Sequence, residues 1–163
     1  MHGVLFTRVF CQRELASLFD ERQIVQLNHS KTIVPGTVRG LHFQFPPHCE
    51  AKLVSCLKGR IWDVAVDLRK YAPTFLCWHA EELSPDKYRS LFIPEGCAHG
   101  FQVLEPESEV LYLSTEFYAP EAEGGVRFDD PRIAITWPLT VVGLSERDQE
   151  HAFLSKDFSG ISL

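Results

Sequence analysis

The sequence predicts an all-β fold, a barrel or jelly roll with short helices only near its two ends. Eight or more short apolar stretches follow one another along the chain, separated by turns rich in Gly, Pro and Asp. In several of these stretches apolar and polar residues alternate with a period of two, which is typical of a strand with one buried face. Apolar residues recur at helical spacing only close to the two ends.

Length and composition narrow the class of protein. At 163 residues, 45% of them hydrophobic, the chain suits a single domain over residues 1–163. Its formal net charge of −6 argues against nucleic acid or an anionic membrane as the main partner. No apolar run approaches the roughly 18 residues of a membrane helix, and the first residues lack the order of a signal peptide. Five scattered cysteines without a CxxC pair indicate reduced thiols, so we expect a cytoplasmic protein.

The first two elements are a helix and a strand. The stretch Gln12–Asp20 has apolar residues at i, i+3 and i+4, which predicts a short helix. Gln23–Ser30 is predicted as a brief strand on which Gln26 and Asn28 share a face. That face either binds a ligand or is the polar side of an edge strand.

The stretch Val38–Lys52 is the most informative part of the chain. It is predicted as two short strands joined by a proline turn, with His42 and Gln44 pointing away from the apolar residues with which they alternate. Lys52 opens the second strand. A base and a cation on adjacent strands that face one cavity would suit chemistry on an anionic intermediate. The alternative is a histidine satisfied in the core and a solvated lysine.

The next stretch, Leu53–Leu68, has the pattern of a hairpin with Gly59 in its turn. On its second arm the larger apolar residues share one face. Asp63 and Asp67 lie on the other face, with a small residue between them. We expect Asp67 to be exposed, whereas Asp63 is either exposed or lines a cavity.

Further short strands and one helix complete the chain. Tyr112 and Ser114 share one face of the predicted strand Glu109–Thr115, opposite two leucines. A helix at Leu144–Ala152 is capped by Ser145, with Asp148 at the fourth position of an S-x-x-D box, where a capping role is one explanation for the carboxylate. The remaining predicted strands are Phe75–His79, Ser90–Ile93, Glu109–Thr115 and Ile133–Trp137.

The stretch IPEGCAH at residues 93–99 resembles the second signature of the cupins, which are small jelly-roll barrels. Their first signature needs a second histidine two residues after the first, but His42 is followed by Phe43 and Gln44. A metal would have to rest on His42, His99 and Glu50, which offer few of the ligands that a transition metal recruits. We therefore expect no metal.

Several further stretches occur in one order with compatible spacing over residues 23–150. Together they resemble the dTDP-4-dehydrorhamnose 3,5-epimerases, the RmlC-like family of the cupin superfamily. This resemblance is far more specific than any single motif. The stretches are NHS (28–30), VRGLHFQ (38–44), KLV (52–54), DVAVDLR (63–69), IPEGCAHGF (93–101), the strand with Tyr112, YAPEAE (118–123), DDP (129–131), WP (137–138) and LSERD (144–148).

The resemblance implies a double-stranded β-helix jelly roll and an isomerase that needs no cofactor. Its reaction would be epimerisation at C3, C5 or both of a nucleotide-linked 4-keto-6-deoxyhexose, by proton abstraction and reprotonation through an enolate. By position, His42 is the base, and a histidine exchanges protons readily near neutral pH. Asp148 orients that imidazole, Lys52 is the cation beside the enolate oxygen, and Tyr112 is the acid on the opposite face.

The resemblance also implies binding roles and a homodimer. Two arginines are expected at the diphosphate, four residues at the nucleotide or sugar, and one histidine at the sugar. The dimer would form through the sheets, with N-terminal strands exchanged between subunits. The two arginines are Arg39 and Arg147, the four residues at the nucleotide or sugar are Gln26, Asn28, Tyr118 and Glu123, and the histidine is His99.

Two departures from the family pattern bear on specificity. Where the family has an Arg-Gly-x-x-x-Glu element near the diphosphate, residues 2–7 read HGVLFT, so His2 and Thr7 replace both charged residues. Leu113 follows the tyrosine where the family often has lysine. These changes leave open an altered nucleotide, weaker binding, or inversion of only one carbon. Two other functions stay open as well: a 3,4-ketoisomerase of the same sugar class, and a cupin that binds a sugar nucleotide without catalysis.

Overall fold

The computed structural model describes residues 6–163. This part of the chain contains nine strands, two very short α-helices and two single turns of 3₁₀ helix at Pro85–Lys87 and Pro120–Ala122. In chain order the strands and α-helices are α1 (Ala16–Phe19), β1 (Gln26–Thr32), β2 (Val38–Gln44), β3 (Lys52–Lys58), β4 (Ile61–Asp67), β5 (Trp78–Leu83), β6 (Ser90–Ile93), β7 (Cys97–Val103), β8 (Ser108–Ser114), β9 (Glu123–Gly125) and α2 (Glu146–Glu150).

The strands form two antiparallel sheets. One has the order β1-β8-β3-β6 and the other the order β5-β4-β7-β2-β9. Their facing sides share one apolar cluster, in which Val54 and Val110 of the first sheet pack with Ile61 and Phe101 of the second. The predicted all-β jelly roll with α-helix only near its ends is therefore confirmed.

The outer faces of both sheets are covered as well. On the five-stranded sheet, Val64 and Val66 pack against Ile133 and Ile161 of the segment 126–163. On the four-stranded sheet, Phe19 of α1 packs against two leucines of β3 and β8. Because the five-stranded sheet is buried on both sides, its central strands carry few exposed residues.

The segment 126–163 is held to the chain after β4 by backbone hydrogen bonds, and side-chain contacts tie the segment together internally. Ile161 donates its N–H to the carbonyl of Leu68 at 2.7 Å and accepts from the N–H of Lys70 at 2.8 Å. The buried Asp130 carboxylate accepts from the N–H of Leu154 at 2.6 Å, and the Arg132 guanidinium donates to carbonyls farther along. These contacts fix both sides of α2, which lies within the segment.

Two predictions of which strands lie side by side in a sheet are wrong. The turn at Gly59 is present, with a positive φ of 73°, but β3 and β4 belong to different sheets and do not pair. His42 and Lys52, predicted on adjacent strands, likewise lie on β2 and β3 in opposite sheets. Alternation reveals which face of a strand is buried, but it does not reveal which strand lies beside it.

Three predicted elements differ in their bounds or in their nature. Ile133–Trp137 is not a strand, because its apolar side chains pack as irregular chain on the outside of the five-stranded sheet. The strand predicted at Phe75–His79 begins at Trp78 and continues to Leu83. The first helix covers only Ala16–Phe19 of the predicted stretch.

The predicted exposure of Asp67 is also wrong, because its side chain is 7% exposed. Its carboxylate accepts from the Arg69 guanidinium at 2.8 and 2.9 Å, from the Arg69 N–H at 2.9 Å and from the Thr74 hydroxyl. Burial alone would raise the pKa of Asp67, but these hydrogen bonds outweigh it and lower the pKa to about 2. Asp67 thus locks the turn after β4.

We predict that Asp67→Asn lowers the free energy of unfolding by about 2 kcal/mol at pH 7. Since the folded-state pKa lies below the unfolded value, this contribution is complete above the unfolded pKa and is lost as the pH falls towards 2. Urea unfolding at pH 7 and pH 3 measures it, and roughly half of the difference should be gone at pH 3. Asp157→Asn, at an exposed position, is the control. A difference that does not change with pH contradicts the prediction.

Candidate active site

A cavity of about 410 Å³ lies between the two sheets, within the usual range for small-molecule sites. Ten of the eleven predicted site residues line it, and the eleventh, Asp148, lies behind His42. The ten are Gln26, Asn28, Arg39, His42, Lys52, His99, Tyr112, Tyr118, Glu123 and Arg147. Residues that the sequence interpretation did not assign to ligand binding also line the cavity, among them Gln44, Glu50 and Phe101.

Strand alternation brings these side chains to the cavity. On β1, Gln26 and Asn28 share the inward face, and the Gln26 Nε2 donates to the Asn28 Oδ1 at 3.2 Å. On β8, Tyr112 also faces inward, opposite the leucines with which it alternates. The five-stranded sheet contributes His42 and His99, which are directly opposite each other on β2 and β7.

His42 and Asp148 form the shortest of the contacts between predicted site residues. The His42 Nε2 donates to the Asp148 Oδ1 at 2.6 Å, and the N–H of Gly40 approaches the Asp148 Oδ2 at 3.2 Å. Asp148 is 1% exposed. Burial raises the pKa of Asp148, but the hydrogen bond and charge of His42, with the backbone bond, outweigh it and lower the pKa. The ionised carboxylate therefore holds the imidazole in one orientation.

The helix that carries Asp148 begins as predicted. Ser145 caps α2 by accepting from the N–H of Asp148 at 3.1 Å. The Asp148 carboxylate also interacts with the Ser145 side chain, which helps to lower its pKa, and its Oδ1 accepts from His42. The capping role therefore explains part of what Asp148 does, and the hydrogen bond to His42 explains the rest.

One nitrogen of His42 remains available. Because Nε2 carries the proton donated to Asp148, the Nδ1 lone pair is the basic site of the neutral ring. The Arg147 guanidinium lies 3.2 Å from Nε2. Since guanidinium has only donors, this approach brings a positive charge close to the ring without adding a second hydrogen bond.

Lys52 is buried, which contradicts the alternative of a solvated lysine. It is 8% exposed, and its Nζ lies 2.9 Å from the Glu50 Oε1, itself largely buried. Glu50 entered the sequence interpretation only as a possible metal ligand. Its contact shows that it neutralises the one buried ammonium that faces the cavity within the described residues.

Tyr112 lies on the four-stranded sheet, across from His42. Burial, and then the negative charge of Glu50, raise the pKa of the Tyr112 phenol. The phenol thus keeps its proton at neutral pH. A neutral phenol on one side and an imidazole on the other provide a donor and an acceptor of protons in one cavity.

His99 has a carboxylate partner of its own. Its Nε2 donates to the Asp63 Oδ1 at 2.7 Å, and Asp63 is fully buried behind it. Burial raises the pKa of Asp63, although His99 and Lys52 act against it. The sequence left open whether Asp63 is exposed or lines a cavity. In the structure it is buried behind the cavity wall and orients His99. Its place on the face of β4 opposite the larger apolar residues was the available signal.

Three predicted binding residues meet at the cavity mouth. The Tyr118 hydroxyl donates to the Glu123 Oε2 at 2.9 Å, and the Arg147 guanidinium donates to the Glu123 Oε1 at 2.7 Å. Arg39 lines the cavity too, and it forms no salt bridge with any residue from 6 to 163. Two cationic side chains are therefore present at a single opening.

The cavity does not fit the metal that the cupin fold suggests. His42 and His99 each direct a ring nitrogen to a separate carboxylate. Gln44, at the position of the missing second histidine, donates to the carbonyls of His48 and Phe117 and accepts from the N–H of Ala119. The donors that a cupin metal would need at His42, His99 and residue 44 are therefore engaged elsewhere.

Two other expectations concern the chain as a whole. Of the residues that depart from the family near the start, His2 to Leu5 lie outside the described part of the chain. The five cysteines are free thiols. The helices of residues 6–163 are too short to cross a membrane.

A jelly-roll cavity lined by a carboxylate-bound imidazole, an ammonium and a phenol defines a cupin equipped for proton transfer. The chain matches the dTDP-4-dehydrorhamnose 3,5-epimerase family over residues 2–156. It belongs to this family, whose members are isomerases.

Similar proteins agree with this assignment. The dTDP-4-dehydrorhamnose 3,5-epimerase of Shigella flexneri is 46% identical over 126 residues, which cover 77% of this chain and 69% of that protein. The crystal structure of dTDP-6-deoxy-D-glucose-3,5-epimerase RmlC from Legionella pneumophila, in complex with dTDP-4-keto-L-rhamnose, has a TM-score of 0.86 and 39% identity, covering 91% of this chain and 79% of that one. A 3'-monoepimerase from Streptomyces bikiniensis, bound to dTDP-quinovose, has a TM-score of 0.81 and 28% identity, covering 90% and 74%.

Proposed function

We propose that this protein epimerises a dTDP-linked 4-keto-6-deoxyhexose at C3, C5 or both, without a cofactor, through an enolate. One observation carries the proposal: the imidazole of His42, held by Asp148, faces the same cavity as Lys52 and Tyr112 from the opposite sheet. Inversion of a carbon beside a ketone needs a base, a proton donor on the other face and a cation for the enolate oxygen. These three groups supply them.

In the first step the Nδ1 of His42 takes the proton from the carbon beside the ketone. The electron pair of the C–H bond forms a double bond to the carbonyl carbon, and the π pair of the C=O bond moves onto the oxygen, which becomes the enolate oxygen. Asp148 stabilises the imidazolium that forms, as its ionised carboxylate already accepts from Nε2. The buried ammonium of Lys52 stabilises the enolate, and removal of such a donor costs on the order of a hundredfold in rate or more.

In the second step Tyr112 donates its proton to the opposite face of the same carbon. The double bond of the enolate returns to the ketone, and the carbon is inverted. The raised pKa of the phenol keeps it protonated until this step. Solvent then returns a proton to Tyr112 and removes one from His42, so the enzyme regains its starting state and protons alone are exchanged.

The cavity mouth supports binding of the nucleotide end. Arg39 and Arg147 bring two positive charges to the opening, which suits a diphosphate. The amide groups of Gln26 and Asn28, together with the polar groups of Tyr118 and Glu123, can contact the nucleoside or the sugar. His99, fixed through Nε2, offers the lone pair of Nδ1 to a sugar hydroxyl.

We further propose a homodimer in the cytoplasm. The four-stranded sheet ends at β1, whose outer edge is unpaired within the described chain, and an unpaired edge is a natural place for another chain. Large apolar side chains are exposed on this strand and just beyond it: Leu27, Ile33 and Val34. Five free thiols suit a reducing compartment.

The experiment that tests the reaction is solvent deuterium incorporation. In D₂O, dTDP-4-keto-6-deoxyglucose should gain deuterium at C3, at C5 or at both. NMR measures the deuterium at each position and so shows which carbons react. His42→Asn should slow the exchange by at least about a hundredfold, because the base is lost. His79→Asn changes an exposed histidine and should leave the rate unchanged. No exchange at either carbon contradicts the proposal, and a product with a relocated carbonyl supports the ketoisomerase instead.

A second prediction separates the two proton-transfer roles. Tyr112→Phe should keep deuterium exchange at the abstracted position, since His42 can remove and return a proton on one face. Inversion should fall about a hundredfold or more, because the donor on the other face is gone. NMR reports exchange and configuration in one sample, with the exposed Tyr88→Phe as control. Loss of exchange and inversion together would contradict this division of roles.

The dimer is checked by light scattering on the purified chain. We expect a mass of twice the 18.6 kDa of one chain. Leu27→Arg should shift the mass towards one chain, because the exposed leucine would lie in the interface. A single-chain mass for the unmodified protein contradicts the proposal.

A further inference from the structure

A second imidazole lies behind the proposed catalytic pair. His151 follows α2, and its side chain is 15% exposed. Its ring packs against Gly125 of β9, where a Cβ would overlap the ring, and its edge meets the ring of His42 at a centroid distance of 5.7 Å. The His151 Nε2 is buried and has no hydrogen-bond partner within the described residues. A buried polar atom without a partner needs an explanation.

The unpartnered nitrogen points towards a set of metal-ligand atoms. The Nε2 of His151 lies 3.9 Å from the Asp148 Oδ1, which is itself 2.6 Å from the His42 Nε2. All three atoms lie within 4.8 Å of one another. Around a tetrahedral zinc ion, ligand atoms would be about 3.3 Å apart. One of the two measured separations is shorter than this and the other longer, so modest side-chain rotation suffices.

We propose that these three residues form an inhibitory site for a divalent transition-metal ion of the zinc type. Two imidazoles and one carboxylate are a common ligand set for such ions, with the remaining positions left to water. The site differs from the usual cupin site, because it lies between β2 and the end of α2 and does not use His99. All three ligand atoms come from one chain.

Binding of the ion would disable the base through a change of tautomer. The ion takes the place of the proton between the His42 Nε2 and Asp148. That proton moves to the His42 Nδ1, through solvent, so the neutral ring keeps one proton and the charge balances. Nδ1 is the nitrogen proposed to accept the substrate proton, so the reaction stops although the substrate cavity stays open. Inhibition should therefore lower kcat and leave KM nearly unchanged.

Charges around the site limit its affinity. The Arg147 guanidinium is 3.2 Å from the His42 Nε2 and repels a cation at that point. Its side chain is 50% exposed and already pairs with Glu123, so it can turn away when an ion binds. Arg147→Met should therefore bind zinc more tightly than the unmodified chain.

The test uses zinc chloride with the full chain, and each rate is expressed relative to the same variant in EDTA. Calorimetry should give about one zinc per chain, and inhibition should reverse on adding EDTA. His151→Phe keeps a ring against Gly125 but removes the ligand atom. It should raise the inhibitory zinc concentration at least about tenfold. His151→Gln is a second variant in case the first folds poorly, and the exposed His79→Gln is the matched control.

Zinc binding is measured without substrate, so a failure of this proposal can be told apart from a failure of the proposed reaction. Weaker zinc binding in both His151 variants, unchanged binding in His79→Gln and an effect on kcat alone support the site. The proposal is overturned if the unmodified chain binds no zinc, if the His151 variants bind it equally well, or if zinc raises KM instead of lowering kcat.

Discussion

The hydrogen bond between His42 and Asp148 connects parts of the chain that are 106 residues apart, and the cavity depends on it. Asp148 reaches His42 only because the segment 126–163 crosses the outer face of the five-stranded sheet and returns to β2, next to the edge strand β9. Apolar packing of Ile133 and Ile161 holds this segment in place. The wall of the active site is thus completed by chain that lies outside the barrel.

The two sheets divide the site chemically. The five-stranded sheet holds two imidazoles, each with its own buried carboxylate, whereas the four-stranded sheet holds the ammonium of Lys52 and the phenol of Tyr112. In a chain with a formal charge of −6, the exposed arginines at the mouth concentrate positive charge where an anionic substrate would enter. Acidic composition and an anionic substrate are therefore compatible.

Strand alternation was enough to predict which side chains share a face, although it did not show that this face lines the cavity. Gln26 with Asn28, and Tyr112 with Ser114, share faces as expected, and the fold class followed from the number of short strands. Pairing was not predictable in the same way, because a turn such as Gly59 can close a hairpin or carry the chain between sheets. Asp67 was wrongly predicted to be exposed although its partners Arg69 and Thr74 are close in sequence, because alternation does not reveal what covers the polar face of a strand. The buried pair of Glu50 and Lys52 and the place of His151 beside His42 likewise left no pattern of apolar residues.

The arrangement of the fold constrains the proposed catalytic roles. Inversion of a carbon requires that a proton leave one face and that another arrive at the opposite face, so the two groups cannot share one sheet surface. A cavity enclosed between two sheets provides opposed walls without a moving part. His42 is fixed on one wall by a buried carboxylate, and Tyr112 is protonated on the other because burial and Glu50 disfavour its anion. The same two-layer packing that buries the core thus places the proposed base and the proposed acid on opposed walls of one cavity.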